Sequence, residues 1–370
     1  MKLSAADRRK LLPLLDELAG AVEELLLSGL TTASEATRQA LGVSFQEASR
    51  LGLLRLGSTL RAANEELGRF TRNEPEFSRR RLGFFLNRAW LLCRGLSRAL
   101  HEGDEAQFDR LLWTPASAPA GRLEVVTLGV ARRVAASAFC AFEFRLRTVA
   151  PAGAIPAGQR LIWSCVFALK PGVSVPPEAF LGLPQKQKFK PALFLERKTV
   201  VIEGAAVALD GDSGRVSLGE QSTVVGGEPF TDWQRFQGWD PAAALRRVRS
   251  HEPGPFDLEV ELQEEVVLDV WEIGEPAGRA GQHQTVFPVT HRGTAFDAVV
   301  TQGEEGKALR GALEALRRKK QRAPLFGLLH YEMCRLVLQP LAVFGKDGPE
   351  QLMLSQEAGD RAALLKALKF

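Results

Sequence analysis

Residues 142–147 read Phe-Glu-Phe-Arg-Leu-Arg, apolar and charged side chains in strict alternation. In an extended chain successive side chains point to opposite faces, so this spacing predicts a strand that buries Phe142, Phe144 and Leu146 and turns Glu143, Arg145 and Arg147 outward. Leu258, Val260 and Leu262 alternate in the same way with Asp257, Glu259 and Glu261. Residues 123–130, 161–169, 199–209, 215–218 and 266–271 are further strand candidates, separated by Gly, Pro and Asp turn residues. One helix interrupts them, with Asp240 as its N-cap, Pro241 at its first position and residues 242–248 as its body. Strands so spaced predict an antiparallel barrel or sandwich, and the lack of regular strand-helix alternation speaks against a doubly wound parallel sheet.

Upstream the period changes. Leu11, Leu14, Leu15, Leu18, Val22, Leu25 and Leu26 recur at intervals of three and four, the spacing of amphipathic helices, and the pattern continues to about residue 113. Ser78 is placed to cap a helix running to Leu100, which carries Leu82, Phe85, Leu86, Ala89, Cys93, Leu96 and Leu100 on one stripe and so belongs at the centre of a bundle. A Pro/Ala/Ser connector follows. Downstream, a helix over 304–320 ends in Arg317, Arg318, Lys319 and Lys320 and is stopped by Pro324; apolar runs 336–338 and 341–344 read as a strand pair and 360–370 as a terminal helix. The fold class is α+β, with a helical domain at 1–114, a linker at 115–121, a β-rich domain at 122–303 and a mixed C-terminal region at 304–370. No fixed-period repeat is visible.

With 370 residues, 45% hydrophobic and 25% charged, the chain buries a sizeable core without staples. Cys93, Cys140, Cys165 and Cys334 lie far apart in apolar segments and read as buried thiols. The opening residues lack a continuous apolar signal core, and charges interrupt every apolar run short of a membrane span, so the expected location is the cytoplasm. A net charge of +4 from 48 basic and 44 acidic residues is a mixed field that excludes few partners. Arginine-rich, Ala/Leu/Gly-rich composition is the bias of a GC-rich bacterial coding sequence.

The sequence lacks GxxxxGK[ST], GxGxxG after a strand and GxSxG, whose glycines supply geometry that other residues do not, so P-loop, dinucleotide and hydrolase chemistry have no support. Asp210-Gly211-Asp212-Ser213-Gly214 resembles a calcium loop but lacks its further oxygen ligands, and reads as a hairpin turn. No histidines stand at i, i+4 and no Cys-x-x-Cys occurs, so neither metal nor cofactor is expected. Lys186, Lys188, Phe189, Lys190, Arg197 and Lys198 interleave cations with aromatics, as a single-strand surface would, with Phe189 or Trp233 as stacking partners; a solvated loop explains the same residues. Arg79, Arg80 and Arg81 stand at a helix start where the dipole disfavours them, either held for an acidic partner or neutralised by Glu74 and Glu76. Phe230, Trp233, Phe236 and Trp239 crowd one loop-like segment, either as a binding face or, the reading preferred here, as a plug in the β domain.

Residues 81–100, RLGFFLNRAWLLCRGLSRAL, and 123–134, LEVVTLGVARRV, are similar to segments of uncharacterised bacterial proteins from gene clusters that also carry SWIM zinc-finger proteins, MoxR-type AAA ATPases and von Willebrand A proteins. That resemblance implies a non-catalytic component of a multiprotein assembly, with an AAA ATPase or SWIM protein as partner. The leading expectation is accordingly a non-enzymatic interaction or adaptor protein. The alternatives are a nucleic-acid-binding protein with an oligonucleotide-binding-like β domain, and an enzyme whose site only the fold assembles.

Overall fold

The computed structural model describes residues 5–30, 35–74, 77–112, 117–135, 139–168, 176–210, 212–250, 264–278, 284–301, 304–319, 322–332 and 335–354. The alternating run at 257–262, the helix expected at 360–370, and Trp113, His283 and Cys334 lie outside them. The architecture is α+β, helices first and strands after, and the chain divides between Pro115 and Ala116 into two compact units. No helix among the described residues is long and apolar enough to cross a membrane.

The first unit holds α1 (Ala5–Ser28), α2 (Glu35–Arg50), α3 (Leu54–Thr71), α4 (Arg79–Glu102) and α5 (Glu105–Leu112). The Ser78 hydroxyl accepts the Arg81 N–H at 3.3 Å, and Gly103 ends α4 in the left-handed conformation with φ 70°. The stripe Leu82, Leu86, Ala89, Cys93, Leu96 and Leu100 is buried, and α4 packs against α1, α3 and α5.

The second unit opens with β1 (Ser117–Pro119), β2 (Leu123–Ala135), β3 (Phe139–Thr148), β4 (Arg160–Ala168), β5 (Lys198–Asp210) and β6 (Ser213–Pro229). β2 pairs antiparallel with β3 and β3 with β4; β4 pairs parallel with β6; β6 pairs antiparallel with β5, and β5 with β2. The circuit closes. Numbered from β2, its five strands run 1-2-3-5-4-1, the connectivity of the oligonucleotide-binding (OB) barrel. Phe142, Phe144 and Leu146 face its core with Trp163, Ile202 and Val216, and short 3-10 turns at Pro177–Gly182 and Pro191–Leu195 close one end with Phe180 and Phe194.

After α6 (Pro241–Ser250) the circuit repeats in β7 (Glu264–Leu268), β8 (Glu272–Ile273), β9 (Ala277–Gly278), β10 (Gln284–His291), β11 (Thr294–Thr301), α7 (Glu304–Arg317), β12 (Leu325–Glu332), β13 (Arg335–Gly345) and β14 (Gly348–Gln351). Its first strand is interrupted: β7 pairs with β12, while β8 and β9 pair with β10. β10 then pairs antiparallel with β11, β11 parallel with β13, and β13 antiparallel with β12. Residues from 304 on are therefore no separate C-terminal region. α7 is the helix between third and fourth strands of a second OB barrel, and Leu309, Leu313 and Leu316 seal its core. The runs 336–338 and 341–344 are one strand rather than a pair, because the ladder slips between Phe326 and Gly327 and so accommodates Pro340, which has no N–H to donate.

The two barrels share a core of their own. Val126, Leu128 and Ala131 on the outer side of β2 pack with Phe326, Leu328, Leu341, Ala342 and Phe344 of β12 and β13. Just past the bulge in β2, the Val130 N–H donates to Gln351 Oε1 at 2.8 Å.

Cys93, Cys140 and Cys165 are buried and in no disulfide, and burial pushes the thiols of Cys93 and Cys165 up to about 12. Thiolates are the reactive species, so in a Cys334→Ser variant none of the three should react with a thiol reagent in the native state and all three should react in denaturant. Fast native labelling would show that these segments open.

Candidate nucleic-acid interface

The residues singled out in sequence do not form one site. Trp233 and Phe236 are buried and Phe230 and Trp239 half-buried, all packed with the core between the barrels. Gly348, at φ 115°, leaves the room Trp233 needs: a Cβ there would sit 2.8 Å from the indole ring. The aromatic segment is thus internal packing, with Trp233 only 4% exposed. Phe189 is likewise turned inward, 6% exposed, with its ring 5.6 Å from that of Trp163. Around it Lys186, Lys188 and Lys190 stand exposed on a tight turn closed by Gln185 N–H to Phe189 C=O at 2.7 Å. Lys198 pairs with Glu196 at 3.1 Å, and Arg197 is exposed.

In the helical unit, Arg81 lies 3.0 Å from the buried carboxylate of Glu66, which also accepts Arg69 and the Ser78 N–H. Arg81 therefore serves the fold, whereas Arg79 and Arg80 are exposed. Among the described residues no group of three or more His, Cys, Asp and Glu side chains is placed to hold a metal ion.

A different cluster emerges on the outer face of β3, β4 and β6. Opposite the core-facing residues, the ladder sets Arg147 beside Arg160 and Ser213; then Arg145 beside Ile162 and Arg215; then Glu143 beside Ser164; then Ala141 between Arg133 of β2 and Val166. OB barrels take their ligands on this face, that of the second and third strands. Arg133, Ser164, Val166 and Arg215 are exposed, Val166 at 61%. Arg145, between Gly129 and Ile162 in the ladder, is only 4% exposed and donates to Glu143 Oε2 at 3.0 Å. Burial pushes its guanidinium down from the ordinary value; Glu265 and Glu143 oppose that shift, and the like charges of Arg133 and Arg215 add to it. A guanidinium stays protonated regardless, so the cluster remains cationic.

The other end of this face is occupied from within the chain. Glu265 of β7 forms an ion pair with Arg147, both groups buried, and Glu264 pairs with Arg247 of α6 and lies 3.7 Å from Arg160. The equivalent face of the second barrel differs in chemistry: Pro288 and Thr290 on β10 and Ala295, Asp297, Val299 and Thr301 on β11, with Asp297 3.2 Å from Arg335 beside an open depression of about 310 Å³. It carries no cationic cluster among the described residues.

No family model and no curated protein matches this chain. Solved structures with some likeness to it include the HINa domain of Ifi202 in complex with a 20-base-pair double-stranded DNA (9% identity, 60% of this chain and 94% of that one, TM-score 0.27). Others are the tetrameric p202 HIN2 (10%, 65% and 97%, TM-score 0.27) and a murine DNA-binding protein bound with double-stranded DNA (8%, 64% and 97%, TM-score 0.25). At TM-scores of this size a likeness carries nothing about function, which rests on the chain's own residues.

Sequence reading missed the arginine face for a definite reason. The alternation at 142–147 sets Arg145 and Arg147 on one side of a strand, but Arg133, Arg160 and Arg215 join them only through pairings of β3 with β2 and β4, and of β4 with β6.

Proposed function

We propose that the chain binds nucleic acid through its phosphate backbone on the outer face of the first barrel. The observation that carries this reading is the convergence of Arg133, Arg145 and Arg215 on the strand face that OB barrels use, with Ser164 and Val166 open between them. Glu143, 3.9 Å from Arg133 and 3.0 Å from Arg145, offsets part of the cluster's charge, and the exposed guanidinium forks of Arg133 and Arg215 suit phosphate geometry. Of the described aromatics of this barrel, Phe142, Phe144, Trp163, Phe167, Phe180, Phe189 and Phe194 are turned into its core, while Phe139, half-buried, falls on the outer-face side of β3 in register with Ala141 and Glu143. Aromatic surface on that face is limited to Phe139 among the described residues, so phosphate contacts should dominate and binding should depend little on sequence.

The test is fluorescence anisotropy with a labelled 20-mer over a salt series. Each phosphate contact adds about 0.7 to 0.9 to the slope of log affinity against log salt. Arg133→Ala with Arg215→Ala should therefore flatten the slope by about 1.4 to 1.8. Lys186→Ala with Lys188→Ala and Lys190→Ala should leave it nearly unchanged. An intact chain that does not bind at low salt, or a slope carried by the lysines, refutes the assignment.

A protein-interaction role is a second reading, supported by the second barrel's face, whose open strands carry the Asp297–Arg335 pair and otherwise small or neutral side chains. Such a surface suits protein contact better than phosphate. Under that reading a protein partner survives nuclease treatment during purification, and loses affinity when Val299 is replaced by Asp.

A further inference from the structure

The cationic surface does not end at the edge of the first barrel. α6 starts at Asp240, whose carboxylate accepts the Ala243 N–H at 3.0 Å, and Ala244 is fully buried while Leu245 packs against the second barrel's core. With that side fixed, Arg246 and Arg247 are left exposed. Glu264 ties this helix to the arginine face, since it accepts from Arg247 and also lies 3.7 Å from Arg160. Asp212 adds a second link: it acts electrostatically on Arg247 and belongs to the β5–β6 turn, beside Ser213, which pairs with Arg160. That turn joins the fourth and fifth strands of the barrel, one of the loops that flank the ligand face in OB barrels.

We infer that α6 is the second wall of the binding site, with Arg246 and Arg247 holding phosphates of the nucleic acid that the exposed Arg133 and Arg215 hold on the strands, while buried Arg145 contributes charge without contact. The inference rests on the function proposed above and extends it to residues of the segment between the barrels. Carboxylates on this path, Glu143, Glu264, Glu265, Asp212 and Asp240, are fewer than the arginines they face, Arg133, Arg145, Arg147, Arg160, Arg215, Arg246 and Arg247, so the surface keeps an excess of positive charge. Charge complementarity selects a phosphate polymer long enough to cross from strand face to helix. A strand too short to reach α6 gains nothing from it, and OB sites cover about 4 to 16 nucleotides.

The measurement is again anisotropy with the full chain and a 20-mer. Arg246→Ala with Arg247→Ala should flatten the salt slope by about 1.4 to 1.8, so that raising salt from about 50 to 200 mM weakens the variant about tenfold less than the intact chain. Arg246→Ala alone, which leaves the Arg247–Glu264 pair intact, should give half the change in slope at an unchanged melting temperature. A variant whose salt slope equals that of the intact chain, while Arg133→Ala with Arg215→Ala flattens it as expected, overturns the α6 assignment and leaves the strand face standing. Absence of binding by the intact chain overturns both. Polyglutamate that competes as well as the 20-mer identifies an acidic protein as the occupant and overturns nucleic acid.

Discussion

Arg147→Ala is expected to remove about 3 to 5 kcal/mol of folding stability, the usual consequence of leaving one member of a buried ion pair alone. Arg147 of the first barrel and Glu265 of the second are 8% and 7% exposed and form an ion pair with each other. Without the guanidinium, the Glu265 carboxylate stays in a site that water scarcely reaches. Replacing both residues by leucine removes the stranded charge as well as the pair and should recover most of the loss. Denaturant unfolding decides it: a shifted midpoint at unchanged slope supports the account, and a single substitution that costs under about 1 kcal/mol, as exposed pairs do, contradicts it.

Gly129→Val is expected to destabilise by about 1 to 3 kcal/mol or more, through overpacking rather than loss. Gly129 lies at the bulge of β2, against the second barrel. A Cβ there would stand 2.7 Å from the Phe326 ring and 2.9 Å from the Leu341 Cβ, and valine adds two methyl groups beyond it. The neighbours are not flexible ends: Phe326 and Leu341 are fully buried in the core that joins the barrels. Relief has to come from separating β2 from β12 and β13, which also strains the Val130–Gln351 hydrogen bond. Phe326→Ala opens space on the other side, so the double variant should recover part of the loss, a coupling that independent sites lack.

The fold was legible where a short window suffices. Alternation identifies β3 from six residues, Asp240-Pro241 marks the start of α6, and Ser78 marks that of α4. The repeat of the barrel was not legible, because its first strand is split into β7, β8 and β9 and its helix falls between third and fourth strands, so no period survives in the residues. Closure of each barrel depends on pairings between distant segments, such as β4 with β6, and nothing local encodes them.

The candidate site was half legible. Outward-facing Arg145 and Arg147 follow from the period of two, but their different fates, one bonded to Glu143 and one locked to Glu265, follow from what packs beside them. Interleaved Lys186, Lys188, Phe189 and Lys190 look like a binding strip in one dimension. In three, the turn keeps its cations outside and sends Phe189 into the barrel. The aromatic run 230–239 is dense because two barrels need filling between them, and its density alone does not distinguish that from an exposed face.

Photocrosslinking tests the central claim most directly. A photoreactive phenylalanine analogue replacing Val166, 61% exposed on the arginine face, is compared with one replacing Val225, 55% exposed on β6 beyond its pairing with β4. The account predicts that a labelled 20-mer crosslinks at 166 and not at 225, and that Arg133→Ala with Arg215→Ala abolishes the product. Equal crosslinking at both positions, or crosslinking at 225 alone, would contradict it.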